Sequence, residues 1–183
     1  MAYANSEGAR IYYEETGSGT PILFLHEFAG DFRSWADQIR HLARGWRCIT
    51  MSARGYPPSD VPAEESAYGQ DIANRDAIAV LDHLKIDRAH VVGLSMGAYT
   101  ALQLAVHFPE RVRAAVPCGG GSGSYPPQRA QFIRDSIDRA AAFEKAGKIP
   151  AEAMGLGPTR VQLLNKDPIG WRIATEHQAS HPA

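Results

Sequence analysis

Four short apolar runs, separated by stretches of helical spacing, restrict this chain to a narrow set of folds. The runs are Pro21–Leu25, Trp46–Met51, Ala89–Gly93 and Val112–Pro117. Each has strand length and is bounded by turn residues, the pattern of strands covered on both faces. Between them, Phe32, Trp35, Ile39 and Leu42 recur at three- and four-residue spacings, so Asp31–Leu42 predicts an amphipathic helix. Ile72, Ile78, Leu81 and Leu84 predict a second helix, and Met96–Phe108, stopped by Pro109, a third. Strand and helix alternating in this way predict a mostly parallel, doubly wound α/β sheet.

The flanks differ. Arg10–Glu15 reads as a strand ending at the turn Thr16-Gly17-Ser18-Gly19-Thr20, so the chain is expected to begin with a hairpin. Past residue 118 the glycine-rich segment Gly119–Pro127 has linker composition. Helical patterns follow over Gln128–Lys148 and roughly Thr159–His177, with no further strand. The expected division is a core over 1–118 and a linker with a helical region over 119–183.

Composition narrows the function classes. Among 183 residues, 19 Lys+Arg oppose 20 Asp+Glu, and a net charge of −1 offers no footprint for nucleic acid or an anionic membrane. No apolar run approaches the roughly 20 residues of a membrane span, and the N-terminus lacks the pattern of a secretory signal. A cytoplasmic protein acting on a small molecule is expected. Cys48 and Cys118 lie beside apolar segments with no metal or disulfide spacing, and are expected to be buried free thiols.

One motif carries chemistry. Gly93-Leu94-Ser95-Met96-Gly97 fits G-x-S-x-G and falls between a buried strand and a helix. Such a turn is so tight that side chains two residues before and after the serine would collide with neighbouring elements. Glycine at both places leaves the Ser95 hydroxyl exposed at the carboxyl edge of the sheet. The first N–H groups of the following helix point to the same place, where developing negative charge is stabilised.

Together with this motif, three segments in order resemble the α/β-hydrolase family over nearly the whole chain. Leu25-His26-Glu27-Phe28-Ala29-Gly30 is similar to the family's oxyanion loop, usually His-Gly-x-x-Gly. Arg54-Gly55-Tyr56-Pro57-Pro58-Ser59 resembles its Arg-Gly-x-Gly-x-Ser segment. Ala105–Val112 resembles the run from the elbow helix to the next strand. The resemblance implies that Ser95 is the nucleophile and that the Phe28 and Met96 N–H groups hold the oxyanion. It makes His26 a structural loop residue and residues 119–183 a linker and helical cap. Serine at the elbow argues against members that use Asp there, such as haloalkane dehalogenases and epoxide hydrolases. Ester, lactone or related carbonyl hydrolysis through an acyl-enzyme is implied, on a small and fairly apolar substrate if Phe132, Phe143, Met154 and Trp171 face it. Core packing is the alternative for those four. Three positions depart from the pattern: Glu27 and Pro57 replace common glycines, and Ser52 stands where Asp is frequent. Glu27 is either solvated or in touch with substrate.

The serine's partners are missing. The family order is Ser, then Asp or Glu, then His. His107 sits about 18 Å along the helix from Ser95 at 1.5 Å per residue. His177 or His181, with Asp167 or Glu176, would form a rearranged triad. The alternative is a chain truncated before the strands that carry acid and histidine, leaving Val112–Pro117 as an open sheet edge prone to self-association. A non-catalytic binding module that keeps the pocket is the competing function. No metal or cofactor is expected: Gly30 occupies the second ligand position of a His-Glu-x-x-His, and His177-x-x-x-His181 lacks a third ligand.

Overall fold

A computed structural model describes residues 2–121, 123–148 and 158–181. The chain divides into two compact units, Met1–Gly121 and Ser122–Ala183.

In the first unit, six strands form one sheet: β1 (Ala2–Ser6), β2 (Ala9–Thr16), β3 (Thr20–Leu25), β4 (Trp46–Met51), β5 (Ala89–Leu94) and β6 (Val112–Cys118), in the order β1-β2-β4-β3-β5-β6. β4, β3, β5 and β6 are parallel, whereas β1 and β2 are antiparallel additions. The hairpin is β1–β2, closed by Glu7 and Gly8, both at positive φ. This two-residue turn matches the twist of the strands it joins. The Gly17–Gly19 turn joins β2 to β3 without pairing them, because β4 lies between.

Side chains alternate across β3. Leu23 and Leu25 face a core shared with Ala77, Val80 and Leu81 of α2 (Gln70–His83) and with Ala101 and Leu104 of α3 (Met96–His107). Ile22 and Phe24 face the other side, with Cys48 and Trp35. The sheet is thus covered on both faces. Where periodicity predicts one helix over Asp31–Leu42, there is a 3-10 turn, Phe32–Trp35, followed by α1 (Ala36–Leu42). Asp31 caps the turn by accepting the Arg33 N–H at 2.8 Å. Trp35 leaves helical geometry (φ −104°, ψ 9°) and lays its ring against Phe24 at 5.2 Å.

In the second unit, α4 (Pro126–Ala146) ends at Gly147 in the left-handed conformation. The predicted helix over Thr159–His177 divides into α5 (Pro158–Lys166) and α6 (Pro168–Gln178) at Asp167, whose carboxylate accepts the Gly170 N–H. All three helices begin on proline, which has no N–H to leave unsatisfied in a first turn. Phe143 is buried, Phe132 is exposed, Trp171 is partly exposed, and Met154 lies outside the described residues. Among the described residues no helix is long and apolar enough to cross a membrane.

Candidate active site

The turn from β5 into α3 places Ser95 at φ +50°, ψ −106°, a conformation that L-residues rarely adopt. Its N–H donates to the Cys118 carbonyl at 2.8 Å, which anchors the elbow to β6. Both flanking glycines are sterically required. A Cβ on Gly93 would stand 2.0 Å from the Gly97 oxygen, and one on Gly97 would stand 2.2 Å from the Leu25 oxygen.

The first turn of α3 distributes its N–H groups unevenly. Gly97 donates to the His26 carbonyl at 3.1 Å, while Ala98 and Tyr99 donate to the Ser95 carbonyl. The Gly97 bond ties the loop after β3 to the elbow. It brings His26, Phe28, Met96 and Gly97 to one place, beside Ser95, where the helix N-terminus favours negative charge. Phe28 is 40% exposed there.

His26 is buried and fully engaged. Its Nε2 accepts the Ala53 N–H at 2.9 Å, so the proton rests on Nδ1, which donates to the Glu27 carbonyl at 2.7 Å. The ring is a strut between two loops, with neither nitrogen left to serve as a base or to ligate zinc with Glu27. The Glu27 side chain accepts from the Ser34 hydroxyl at 3.4 Å and does not line the cavity described below. Ser52, in the place where the family often has Asp, is buried and receives the Phe32 N–H at 3.4 Å. The loop is closed further on, where the Ser59 hydroxyl donates to the Ser52 carbonyl at 2.7 Å.

Two residues that the sequence did not single out for the site prove central to it. The Tyr56 ring meets the edge of His26 at 4.9 Å, and its hydroxyl accepts the Ala29 N–H at 3.5 Å and donates to Met96 Sδ at 3.8 Å. Burial pushes this phenol up to about 12; the Ala29 N–H opposes the shift and the Glu27 charge adds to it. Arg54 forms a buried, two-pronged pair with Asp76 on α2, at 2.7 and 3.1 Å, and also donates to the Ser6 and Ala67 carbonyls. An aromatic and an arginine in the loop after an apolar run were the available signals.

A cavity of about 370 Å³ opens beside the elbow, lined by Phe28, Met51, Tyr56, Ile72, Ala73 and Met96 among others. Ser95 is not part of its wall. The remaining histidines of this unit stand elsewhere: His41 and His83 in the last turns of α1 and α2, His90 near the start of β5, and His107 at the end of α3. His177 and His181 belong to the second unit, with ring centroids 6.1 Å apart. Cys48 is buried as expected, but Cys118, at the end of an edge strand, is only half-buried.

Residues 20–153 match the family model described as alpha/beta hydrolase fold. The chain belongs to the α/β-hydrolase family. Over 122 residues it is 34% identical to a 2-hydroxymuconate semialdehyde hydrolase of Pseudomonas sp. (strain CF600), covering 65% of this chain and 43% of that protein. Over 150 residues it is 32% identical to bifunctional epoxide hydrolase 2 of Sus scrofa, covering 79% of this chain and 27% of that one. The solved structure of an N-acyl homoserine lactone degrading enzyme superposes with a TM-score of 0.72 at 30% identity, over 96% of this chain and 64% of the other. This α/β-hydrolase chain therefore spans less than half the length of these two curated relatives.

Proposed function

We propose that this chain carries the nucleophile and oxyanion site of a serine-type hydrolase. Its substrates are small, fairly apolar esters, lactones or related carbonyl compounds, and the reaction proceeds through an acyl-enzyme at Ser95. The observation that carries this reading is the elbow: Ser95 at φ +50°, between two glycines that cannot be enlarged, at the N-terminus of α3. The Ser95 hydroxyl gives its proton to a general base as its oxygen attacks the carbonyl carbon, and the carbonyl oxygen gains the negative charge. The Phe28 and Met96 N–H groups stabilise that charge. Collapse of this adduct breaks the C–O bond to the alcohol portion, which takes up the proton and departs, leaving the acyl-enzyme. His26 positions the loop that carries Phe28; residues 1–118 are the hydrolase core and residues 119–183 the linker and helical cap region. Relatives of this chain include epoxide, semialdehyde and lactone hydrolases. A hydroxyl at the elbow favours acyl transfer over the carboxylate attack by which an epoxide would be opened.

A second reading is a binding module that keeps the site without turnover. It draws on His26, whose two nitrogens are both committed to backbone groups, so the Ser95 proton has no acceptor there. A fluorophosphonate probe separates the two, because it needs an activated serine. Labelling of Ser95 that disappears in Ser95→Ala supports the hydrolase. A folded chain that remains unlabelled rejects catalysis by these 183 residues.

A further inference from the structure

Phe28 and Met96, whose N–H groups are assigned to the oxyanion above, belong to separate parts of the chain. Phe28 stands in the loop after β3, and Met96 opens α3. Two such amides can share one oxygen only if their spacing is held to within about 0.5 Å. One tie between the two parts is the Gly97 N–H on the His26 carbonyl at 3.1 Å. A single hydrogen bond fixes a distance but lets the loop pivot about it.

Tyr56, from the loop after β4, makes a second tie. Its hydroxyl accepts the N–H of Ala29, the residue directly after Phe28, at 3.5 Å, and donates to Sδ of Met96 itself at 3.8 Å. Its ring rests on the edge of His26, which carries the first tie. Ala29 is the sensitive point of the loop. It has φ +61° without being glycine, in a turn closed by the Gly30 N–H on the Glu27 carbonyl at 3.0 Å. Turns of types I and II differ in the orientation of the peptide between their two central residues, here Phe28 and Ala29. An acceptor for the Ala29 N–H selects one orientation and fixes the Phe28 backbone with it. Tyr56 is braced from behind. Its N–H donates to the Ala53 carbonyl, its carbonyl accepts the Ser59 N–H, and the Ser59 hydroxyl accepts the Tyr12 N–H of β2 at 2.8 Å. The tyrosine therefore stands on the sheet. Burial holds its proton well beyond neutral pH, so the bond to Met96 keeps its donor.

We propose that Tyr56 is a positioning residue for the oxyanion site: it bridges Ala29 to Met96 and so locks the Phe28 and Met96 N–H groups into one spacing. Its effect on reaction rate rests on the hydrolase reading above; the locking of the two amides does not.

The full chain is compared with Tyr56→Phe, Met96→Leu and the double variant. Tyr12→Phe, which takes the hydroxyl from a buried tyrosine away from the elbow, is the control. Amide 15N relaxation dispersion reads the locking. Tyr56→Phe keeps the ring on His26, yet is expected to bring exchange broadening to both the Phe28 and the Met96 amides, with none in the unaltered chain or the control. Broadening of both in the unaltered chain, or a change confined to Ala29, overturns the proposal. Labelling of Ser95 by a fluorophosphonate, whose phosphoryl oxygen takes the oxyanion's place, reads the rate. At saturating probe, Tyr56→Phe is expected to label about tenfold more slowly or worse. Its half-saturating concentration should stay within about twofold. An unchanged maximal rate, or a loss confined to the half-saturating concentration, overturns the proposal. Met96→Leu breaks the same bridge from its other end, so the double variant should be no slower than the slower single one. A loss equal to the product of the two single losses overturns the bridge. Should Tyr56→Phe not fold, Met96→Leu carries both readouts with the same expectations. An unlabelled but folded unaltered chain rejects the hydrolase reading, and the amide measurement then decides the positioning.

Discussion

At Ser95 the backbone is itself strained, since φ +50° on a residue with a Cβ costs on the order of 1–3 kcal/mol unless its surroundings enforce it. Here they do, through the Cys118 carbonyl below and the packed first turn of α3 above. Gly97→Ala drives a methyl group into the Leu25 carbonyl and should cost about 3 kcal/mol or more, read as a lower urea midpoint. Two tyrosines supply a pH signature. Tyr12 is pushed up to about 12 by burial and by its bond to Glu14, and Tyr56 reaches about 12 by burial first. The folded chain keeps these protons where the unfolded chain, near its ordinary value of about 10, has lost them. The stability they contribute is therefore complete below pH 10 and declines as pH rises toward 12. Phenolate absorbance should show Tyr12 and Tyr56 among the last of the seven tyrosines to titrate, with Tyr13 and Tyr68 also pushed up by burial. Tyr12→Phe and Tyr56→Phe should each remove one late titration, and an unchanged curve would contradict the assignment.

Between elements, the decisive bond is the buried Arg54–Asp76 pair, which fastens the loop after β4 to α2 and also reaches β1 through the Ser6 carbonyl. Removing one member strands the other charge in the interior. Arg54→Met should cost about 3–5 kcal/mol in a denaturant melt, and Arg54→Lys should recover only part, because an ammonium cannot reproduce the two-pronged contact. This pair shows where the sequence was legible and where it was not. Arg54 was recognisable as part of a family segment. Its partner on α2, 22 residues on, had no distinguishing spacing, since a lone Asp on a helix reads as a solvated face. Likewise, apolar periodicity marked Asp31–Leu42 as helical, but could not reveal the break at Trp35, which follows from seating that ring on Phe24.

For the whole molecule, the sheet ends at β6, whose outer backbone edge has no neighbouring strand among those described, and on which Val116 is half exposed. An open strand edge with apolar side chains invites pairing with another chain. Sedimentation velocity should show a mass that rises with protein concentration, and Val116→Lys should suppress the rise. A strictly monomeric boundary at every concentration would refute this. By itself the sequence determined the alternation of strand and helix from β2 to β6, the two-sided burial of the central strands and the position of the elbow serine, but not β1 or the hairpin it forms. What it determined is encoded by residue spacing within a few turns or a few strand positions. Tertiary structure alone decided that β4 lies between β2 and β3, that His26 is spent on Ala53 and Tyr56 leans on Met96, and that a cavity opens beside the elbow. Such contacts join residues 27 to 40 positions apart. They depend on which strands become neighbours, and no local periodicity records that choice.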